Sequence, residues 1–169
     1  MQTEEYLDLV DENDEVLESR PRTEIYAENL SNFRTINVFL INSQGQLWIP
    51  RRTAHKAIYP LALDFSAAGH VSSGATYDST FAKEVSEEIN IDITTVPHRM
   101  LGYFKPKSLG ERPKQFMQVY EIQSDTVPQY NPDDFIEYFW LTPREVIERI
   151  EKGDKAKSDL PLFIKHFYL

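Results

Sequence analysis

The sequence predicts an α+β fold, in which a mixed β-sheet lies between helices and an N-terminal β-hairpin precedes the sheet. Three observations carry this prediction. Apolar segments on both sides of turn-forming residues indicate two hairpins. A run of apolar residues at i, i+4 and i+8 indicates one long helix, and a Thr-Pro pair indicates the start of another.

The composition is that of one globular domain and excludes several classes of protein. The 169 residues are 41% hydrophobic and 27% charged, which fits a single packed core. A net charge of −9 argues against binding to a nucleic-acid polymer or to an anionic membrane. The absence of cysteine excludes disulfides, thiolate catalysis and cysteine–zinc sites. The acidic N-terminus is unlike a secretion signal, and no segment is apolar enough to span a membrane, so we expect a cytoplasmic protein.

The first half of the chain has the pattern of strands. Residues Tyr6–Arg20 form one predicted hairpin around the turn-forming ENDE. Residues Arg34–Ile41 and Gln46–Pro50 form a second hairpin around Asn42–Gly45. Alternating apolar residues in Leu61–Phe65 predict a further strand.

The second half alternates helices with strands. Residues Tyr77–Ile89 form the predicted long helix, with Thr76 as its N-cap and Asn90 at its end, where a left-handed conformation is tolerated. Later strands are predicted at Arg99–Phe104, Gln115–Ile122 and Ile136–Trp140, with the polar loop KPKSLGERPK between the first two. Thr142-Pro143 begins a helix that runs to about Glu151, and a terminal helix starts near Ser158.

Three acidic residues crowd one face of the long helix. Glu84, Glu87 and Glu88 are spaced i, i+3 and i+4, where like charges destabilise a helix by a few tenths of a kcal/mol for each pair. A divalent cation such as Mg²⁺ or Mn²⁺ prefers oxygen ligands and would reverse the sign of that interaction. A solvated acidic face is the alternative interpretation, and the cluster alone does not decide between the two.

The residues around this cluster resemble the Nudix box, whose pattern is Gly, five residues, Glu, seven residues, then Arg-Glu-apolar-x-Glu-Glu-x-Gly-apolar. The resemblance implies a Nudix-like α/β/α sandwich that forms a single domain over residues 1–169. In it, residues 1–30 are an N-terminal hairpin extension and residues 69–91 are the loop and helix of the box. The matching residues are Gly69, Glu84, Val85, Glu87, Glu88 and Ile91.

The chain departs from the pattern at three positions. Ala75 stands where the family has its first Glu, Lys83 where it has Arg, and Asn90 where it has the second Gly. In the family, the first two of these positions are expected to interact and to orient the ligand glutamates. Lysine lacks the planar fork that arginine presents to a carboxylate. The resemblance therefore implies a looser metal cradle, which bears on catalysis more than on metal binding.

The resemblance is closest to the branch of the family that includes isopentenyl-diphosphate isomerase. In that branch an Arg-Arg…Lys segment helps to hold the diphosphate of the substrate, and here Arg51, Arg52 and Lys56 occupy it. Arg52 and Lys56 are the pair for which the resemblance implies this role. A basic cluster at a strand end is also compatible with a solvated edge. The isomerase needs a cysteine just before its Gly-His step, and this chain has Ala68 there. Because alanine cannot donate a proton, isomerisation by that route is excluded.

Two roles stay open at the level of sequence. His70 either binds metal, as the matching residue does in the isomerase, or only packs and hydrogen-bonds at the loop. The general base is one of the box glutamates or an acid on a loop, and Glu111 and Asp133 lie in candidate loops.

The function that the resemblance implies is a hydrolase that depends on Mg²⁺ or Mn²⁺ and cleaves a diphosphate linkage in a nucleoside diphosphate derivative or a similar small molecule. One alternative is a protein that binds a diphosphate or nucleotide without cleaving it, and another is a structural protein with an acidic solubilising helix. We expect a small-molecule partner, and pairing of N-terminal hairpins in a homodimer stays open. The expected metal ligands are Glu84, Glu87, Glu88 and Gly69, the catalytic residues are Glu87 and Glu88, and the substrate-binding residues are Arg52, Lys56 and Arg51.

Overall fold

The computed structural model describes residues 3–169. Within this range the chain forms eight strands, four α-helices and a 3₁₀ turn at Ile93–Thr95. The strands are β1 (Tyr6–Val10), β2 (Val16–Pro21), β3 (Arg34–Ile41), β4 (Leu47–Arg52), β5 (Ala67–His70), β6 (His98–Phe104), β7 (Phe116–Gln123) and β8 (Phe135–Leu141). The helices are α1 (Arg22–Ala27), α2 (Tyr77–Ile89), α3 (Pro143–Glu151) and α4 (Asp159–Tyr168).

Six of the strands form one mixed sheet. Its order is β6-β7-β3-β4-β8, and β5 pairs with β3 outside this path. The central strands β3 and β7 run parallel, whereas the other pairings in the sheet are antiparallel. The predicted α+β class with a mixed sheet is confirmed.

Helices cover both faces of this sheet. Side chains of a strand alternate between its two faces, and β3 shows this alternation clearly. Ile36, Val38 and Leu40 pack in an apolar cluster with α2, and Phe39 packs in a second cluster with α3 and α4. The predicted sandwich, with the sheet between helical layers, is therefore present.

The long helix α2 has the bounds that the sequence predicts. The Thr76 hydroxyl accepts a hydrogen bond from the backbone N–H of Ser79, which satisfies one of the free donors at the helix start. Asn90 follows the last turn in the left-handed conformation, with φ of 52°. Phe81 and Val85 are buried on the side of the helix that faces the sheet. Local signals were sufficient to fix this helix.

The N-terminal segment forms the predicted hairpin as a separate two-stranded sheet. It continues directly into α1, a six-residue helix that no local pattern in the sequence predicts. Leu7 and Leu9 of the hairpin pack with Ile25 of α1 and with Phe33. This small cluster attaches the hairpin to the start of β3.

The predicted strand at Leu61–Phe65 is wrong. Leu63 makes only isolated bridges there, to Arg51 and to Ala156, and the strand that pairs with β3 is Ala67–His70. Its Ala-Ala-Gly-His sequence has no strand signal of its own. A residue without a side chain is favoured at Gly69 in this strand, because Glu84 of α2 lies directly against it.

Among residues 3–169, every helix is too short or too polar to cross a lipid bilayer.

Candidate active site

A cleft of about 780 Å³ opens between the box helix and the loops that follow β4, β6 and α3. Its lining combines residues from β3, β5 and α2 with residues from those loops and from the N-terminal segment. The fold therefore brings most of the expected site residues to one surface. The expected residues that line it are Gly69, Glu84, Glu87, Glu88, Arg52 and Lys56.

Gly69 and Glu84 are in such close contact that a larger residue fits at position 69 only if the Glu84 side chain moves away. A Cβ atom built on Gly69 would lie 2.4 Å from Cδ and 2.7 Å from Oε1 of Glu84. The glycine therefore lets this carboxylate lie directly against the main chain of β5. That contact brings a backbone segment with a carbonyl oxygen next to the acidic face of α2.

Glu88 is tied to the same strand by its side chain. Its Oε1 accepts a hydrogen bond from the backbone N–H of Ala68 at 3.0 Å. Burial raises the pKa of the Glu88 carboxyl well above its usual range, against the effect of this hydrogen bond, and the nearby charges of Asp64, Glu84 and Asp134 raise it further. Glu88 is thus fixed in position in an environment that disfavours its own negative charge.

Glu84 shares this environment. Burial, and then the charge of Glu87, raise the pKa of Glu84 to about 7, while Lys83 acts in the opposite direction. Glu87 itself is exposed and lines the open part of the cleft. The acidic face is therefore crowded with negative charge that the surrounding protein does not balance, and a cation bound there would relieve it.

The oxygen atoms at this face are of the kind that a hard divalent ion binds. They are carboxylate oxygens and a neighbouring main chain, which Mg²⁺ and Mn²⁺ prefer as ligands. Among residues 3–169, however, no three His, Asp or Glu side chains already stand in an arrangement that would hold an ion. The glutamate side chains would have to converge when an ion binds.

Arg52 and Lys56 line the cleft near these acids, and both are held by carboxylates. Nη1 of Arg52 donates to Oδ2 of Asp64 at 2.7 Å, while its Nε and Nη2 donate to the carbonyl oxygen of Ile58 at 3.2 and 3.0 Å. Nζ of Lys56 donates to Oδ1 of Asp134 at 2.7 Å. Two cations are thus fixed beside the acidic face.

Comparison with known proteins agrees with this arrangement. Residues 31–162 match the family model of the NUDIX domain. The chain belongs to the Nudix family. An uncharacterized Nudix hydrolase of Nostoc sp. is 50% identical over 168 residues, which cover 99% of this chain and 98% of that protein. A crystal structure of a Deinococcus radiodurans protein superimposes with a TM-score of 0.91 and 43% identity, covering 98% of this chain and all of that one.

The similarity to the isomerase branch is also found. An isopentenyl-diphosphate Delta-isomerase of Kocuria rhizophila is 24% identical over 158 residues, covering 92% of this chain and 88% of that protein. Ala68, the residue before the Gly-His step, lines the cleft. The side chain there is a methyl group, which has no proton to donate.

Within this Nudix site, the two unusual box positions do not interact with each other. Ala75 packs against the apolar cluster between α2 and the sheet. Lys83 is exposed, and no carboxylate in residues 3–169 forms an ion pair with it. The interaction that the family pattern implies between these positions is therefore missing from this chain.

The N-terminal hairpin holds the box loop instead. The carboxylate of Asp8 accepts a hydrogen bond from the hydroxyl of Ser73 at 2.7 Å and from the backbone N–H of Gly74 at 3.1 Å. The backbone N–H of Ser73 also donates to the carbonyl oxygen of Tyr6 at 2.7 Å. Asp8 is buried, whereas Ser73 and Gly74 are exposed, so these bonds are partly shielded from water. They anchor the loop between Gly69 and α2.

Arg51 lies outside the cleft lining, so its expected role in substrate binding needs correction. Its guanidinium donates to Glu137 at 3.0 Å and to both oxygens of Asp154 at 2.9 and 3.1 Å. Neighbouring side chains on a strand point to opposite sides, so only one of the two adjacent arginines of β4 can face the cleft. That residue is Arg52.

His70 packs among aromatic residues at one wall of the cleft. Its Nε2 shares a hydrogen bond of 2.6 Å with the hydroxyl of Tyr26, and its ring stacks on Phe33 with centroids 5.6 Å apart. Burial, helped by the charges of Arg22 and Lys157, lowers the pKa of His70 to about 3. These contacts favour the packing role over the metal-binding role.

Neither loop acid named as a candidate base, Glu111 or Asp133, lines the cleft. Several charged residues that do line it were missed, because nothing in their local sequence links them to the box. Asp64 could have been noticed in the sequence, since it follows an apolar run. The structure shows that it is buried. The charged lining residues that were missed are Glu5, Arg22, Asp64, Arg112, Lys114, Asp134, Lys157 and Asp159.

Proposed function

We propose that this Nudix protein is a divalent-metal-dependent hydrolase, which cleaves a diphosphate linkage in a nucleoside diphosphate derivative or a similar small diphosphate. Family membership supports a hydrolase that acts on a pyrophosphate-type bond. The observation that carries the proposal is that the box glutamates and Gly69 line the same cleft as Arg52 and Lys56. A cleft with acids for a cation and cations for an anion suits a metal–diphosphate complex.

The acidic face of α2 would hold the ion. Glu84, Glu87 and Glu88 supply carboxylate oxygens, and the Gly69 carbonyl is the neighbouring main-chain donor. A bound Mg²⁺ or Mn²⁺ would neutralise the diphosphate and lower the pKa of a bound water. The chain itself positions the ligands, through the contact between Glu84 and Gly69 and through the hydrogen bond from Ala68 to Glu88.

Arg52 and Lys56 would bind and orient the diphosphate. Phosphoryl transfer to water depends on in-line positioning and charge stabilisation more than on covalent chemistry. Both side chains are held beside the cleft by carboxylates, so little conformational entropy is lost when they meet the substrate. Their fixed positions would set where the phosphorus atoms lie relative to the glutamates.

Glu87 and Glu88 are the residues to which we assign the reaction itself. Glu88 is fixed by its hydrogen bond to β5, and Glu87 is exposed to the open cleft one residue earlier. A carboxylate that faces the reacting water can accept its proton, which is the role of a general base. The two glutamates together would bind the ion and accept this proton.

Replacement of Glu88 by Gln tests the proposal. The Glu88→Gln variant keeps the size of the side chain and its carbonyl acceptor for Ala68, but it removes the charge. We expect metal-dependent release of phosphate or pyrophosphate to fall at least about 100-fold, in a screen of diphosphate metabolites with Mg²⁺ and Mn²⁺. The control is Glu151→Gln, an exposed glutamate of α3 outside the cleft. Unchanged turnover in Glu88→Gln would defeat the assignment.

A second candidate function is binding of a diphosphate or nucleotide without cleavage. It is favoured by Ala75 and Lys83, which do not form the interaction expected in the family. Thermal shift with a nucleotide panel, combined with a phosphate-release assay on the same samples, separates the two functions. Stabilisation by a ligand that is never hydrolysed would favour the binding protein, and release would favour the enzyme.

A further inference from the structure

The loop between β6 and β7 presents two further cations to the cleft. Arg112 and Lys114 both line it, and neither is closely paired with an acid. The nearest carboxylate to Arg112 is that of Asp159, with 3.8 Å between Nη1 and Oδ1. Lys114 is exposed and has no ion pair within residues 3–169. Their hydrogen-bond donors are therefore available to a ligand.

Arg52 and Lys56, the two cations predicted to bind substrate, already form hydrogen bonds within the protein. Arg52 uses its Nε, Nη1 and Nη2 within the protein, and Lys56 is 2.7 Å from Asp134. A phosphate group that binds them must share them with these acceptors. Within residues 3–169, Lys114 has no ion pair and Arg112 is 3.8 Å from Asp159 without a hydrogen bond to it, so both have more free N–H donors for an anion than Arg52 and Lys56 have.

The backbone of this loop is held in place before any ligand binds. The N–H of Lys107 donates to the carbonyl oxygen of Pro113, and the N–H of Leu109 donates to that of Arg112, both at 2.8 Å. Leu109 also packs against the core cluster of α3 and α4, and Pro113 is buried. A loop that is already ordered loses little entropy when its side chains bind an anion.

Asp159 gives Arg112 a fixed electrostatic neighbour. The Asp159 side chain is 13% exposed, and its Oδ1 has no hydrogen-bond partner in residues 3–169. A buried carboxylate without a partner attracts the nearest cation strongly. At 3.8 Å, Nη1 of Arg112 is close enough to Oδ1 of Asp159 for an ion pair but not for a hydrogen bond. The N–H donors of the guanidinium are therefore not used by this carboxylate.

We propose that Arg112 and Lys114 form a second anion subsite, which binds a phosphoryl group of the substrate that the box glutamates and their ion do not hold. This inference rests on the proposed function in that it takes the cleft to bind a phosphate compound. Arginine offers a planar fork to two phosphate oxygens and lysine a mobile point charge, a combination suited to a phosphate group.

Pyrophosphate binding to metal-stripped protein tests this subsite independently of catalysis. Isothermal titration in chelator-treated buffer compares wild type with Arg112→Gln, Lys114→Gln and the double variant. We expect the double variant to bind pyrophosphate at least about 10-fold more weakly, the loss of roughly one charge-assisted hydrogen bond. The control is Lys107→Gln, which removes one charge from the same loop outside the cleft lining.

Further variants keep the outcome interpretable. Arg112→Lys retains the charge and should recover part of the affinity, and Lys114→Gln alone keeps the neighbour of Asp159 in place. In the active enzyme, the double variant should raise KM more than it lowers kcat. Wild-type affinity in the double variant, an equal loss in Lys107→Gln, or no pyrophosphate binding by the wild type would each overturn the subsite.

The failure of this proposal differs from the failure of the proposed hydrolase. Glu88→Gln should bind pyrophosphate without metal at least as well as wild type, because it removes a negative charge from the cleft. If no substrate is hydrolysed but Arg112→Gln/Lys114→Gln still weakens pyrophosphate binding, the subsite stands. If hydrolysis occurs and pyrophosphate affinity is unchanged by that pair, the hydrolase stands and the subsite does not.

Discussion

Two groups of carboxylates in this protein lie in opposite electrostatic surroundings. In the cleft, burial and the neighbouring acid Glu87 raise the pKa of Glu84 to about 7. At the corner where β4 and β8 meet the end of α3, hydrogen bonds from Arg51 and then from Arg149 hold the pKa of Asp154 below its usual range, against partial burial. Within residues 3–169, Glu84 forms no ion pair, whereas Asp154 forms ion pairs with two arginines.

The difference separates residues that bind from residues that stabilise. An acid paired with arginine contributes to the free energy of unfolding, because its charge is more favourable in the folded chain than in the unfolded one. An acid crowded against other acids lowers that free energy, and it persists where it serves binding or catalysis. Variants in the two regions should therefore change different properties of the protein.

The largest effect is expected from Gly69→Ala in the cleft. The added Cβ would fall 2.4 Å from Cδ of Glu84, so the carboxylate has to leave its position against β5. We expect Mn²⁺ affinity to fall at least about 10-fold, a loss typical when the support of a metal ligand is removed. Calorimetric titration with Mn²⁺ measures it.

Ala68→Gly is the matched control for Gly69→Ala, since it removes a Cβ from the adjacent position and leaves the backbone donor to Glu88 intact. It should retain most of the affinity. Mn²⁺ binding by Gly69→Ala that equals the wild type would show that Glu84 does not act from its observed position.

Asp154→Asn should have a moderate effect, and on stability alone. The carboxylate accepts hydrogen bonds from both Nη1 and Nη2 of Arg51 and from Nε of Arg149. With the side chain 20% exposed, we expect the free energy of unfolding to fall by about 1 to 2 kcal/mol. Urea denaturation at pH 7 measures the change, and Asp133→Asn, an exposed acid, is the control.

The effect of Asp154→Asn should depend on pH with a defined sign. The folded-state pKa of Asp154 lies below the value of 3.8 for the free side chain. The stabilisation is therefore complete above that value and is lost as the pH falls through the folded-state pKa. The difference in the free energy of unfolding between wild type and variant should be constant from about pH 5 to 8. It should become smaller below about pH 4. A gap that widens in acid would contradict the pairing.

Glu84→Gln should have the smallest effect on stability, with the opposite sign. In metal-free protein, removal of one of the crowded charges should leave the free energy of unfolding unchanged or raise it by about 0.3 kcal/mol. Urea denaturation in chelator-treated buffer checks this, and added Mn²⁺ should then stabilise the wild type more than the variant. A clear loss of stability without metal would mean that Glu84 has a structural partner.

Local sequence signals predicted the elements whose ends are fixed by their own residues. Thr76 and Asn90 define the ends of α2, and the turn at Asn42–Gly45 defines the β3–β4 hairpin. The spacing of the box glutamates placed them on one helical face, and the structure brings them to the cleft. The resemblance to the Nudix pattern then supplied the expected chemistry.

The features that were missed depend on contacts between distant segments. Local alternation cannot show that Leu61–Phe65 bypasses the sheet while Ala67–His70 joins it, because the close approach of α2 makes that selection. Nor can local periodicity show which of two adjacent arginines faces the cleft; the preference for Arg52 came from the resemblance, and Arg52 does line the cleft. Arg112 and Lys114 line the cleft because of the course of the loop between β6 and β7, and no local sequence pattern predicts that course.

Asp8 holds the box loop from a position outside the residues that match the family model. Asp8 lies 65 residues before Ser73 and outside the matched residues 31–162. Arg22 and Tyr26, which complete one wall of the cleft, also lie outside that match. A shortened chain that kept every residue of the box would still lose the support of its loop. We therefore expect that a fragment limited to residues 31–162 would match the family and yet lack the contacts that hold its box loop.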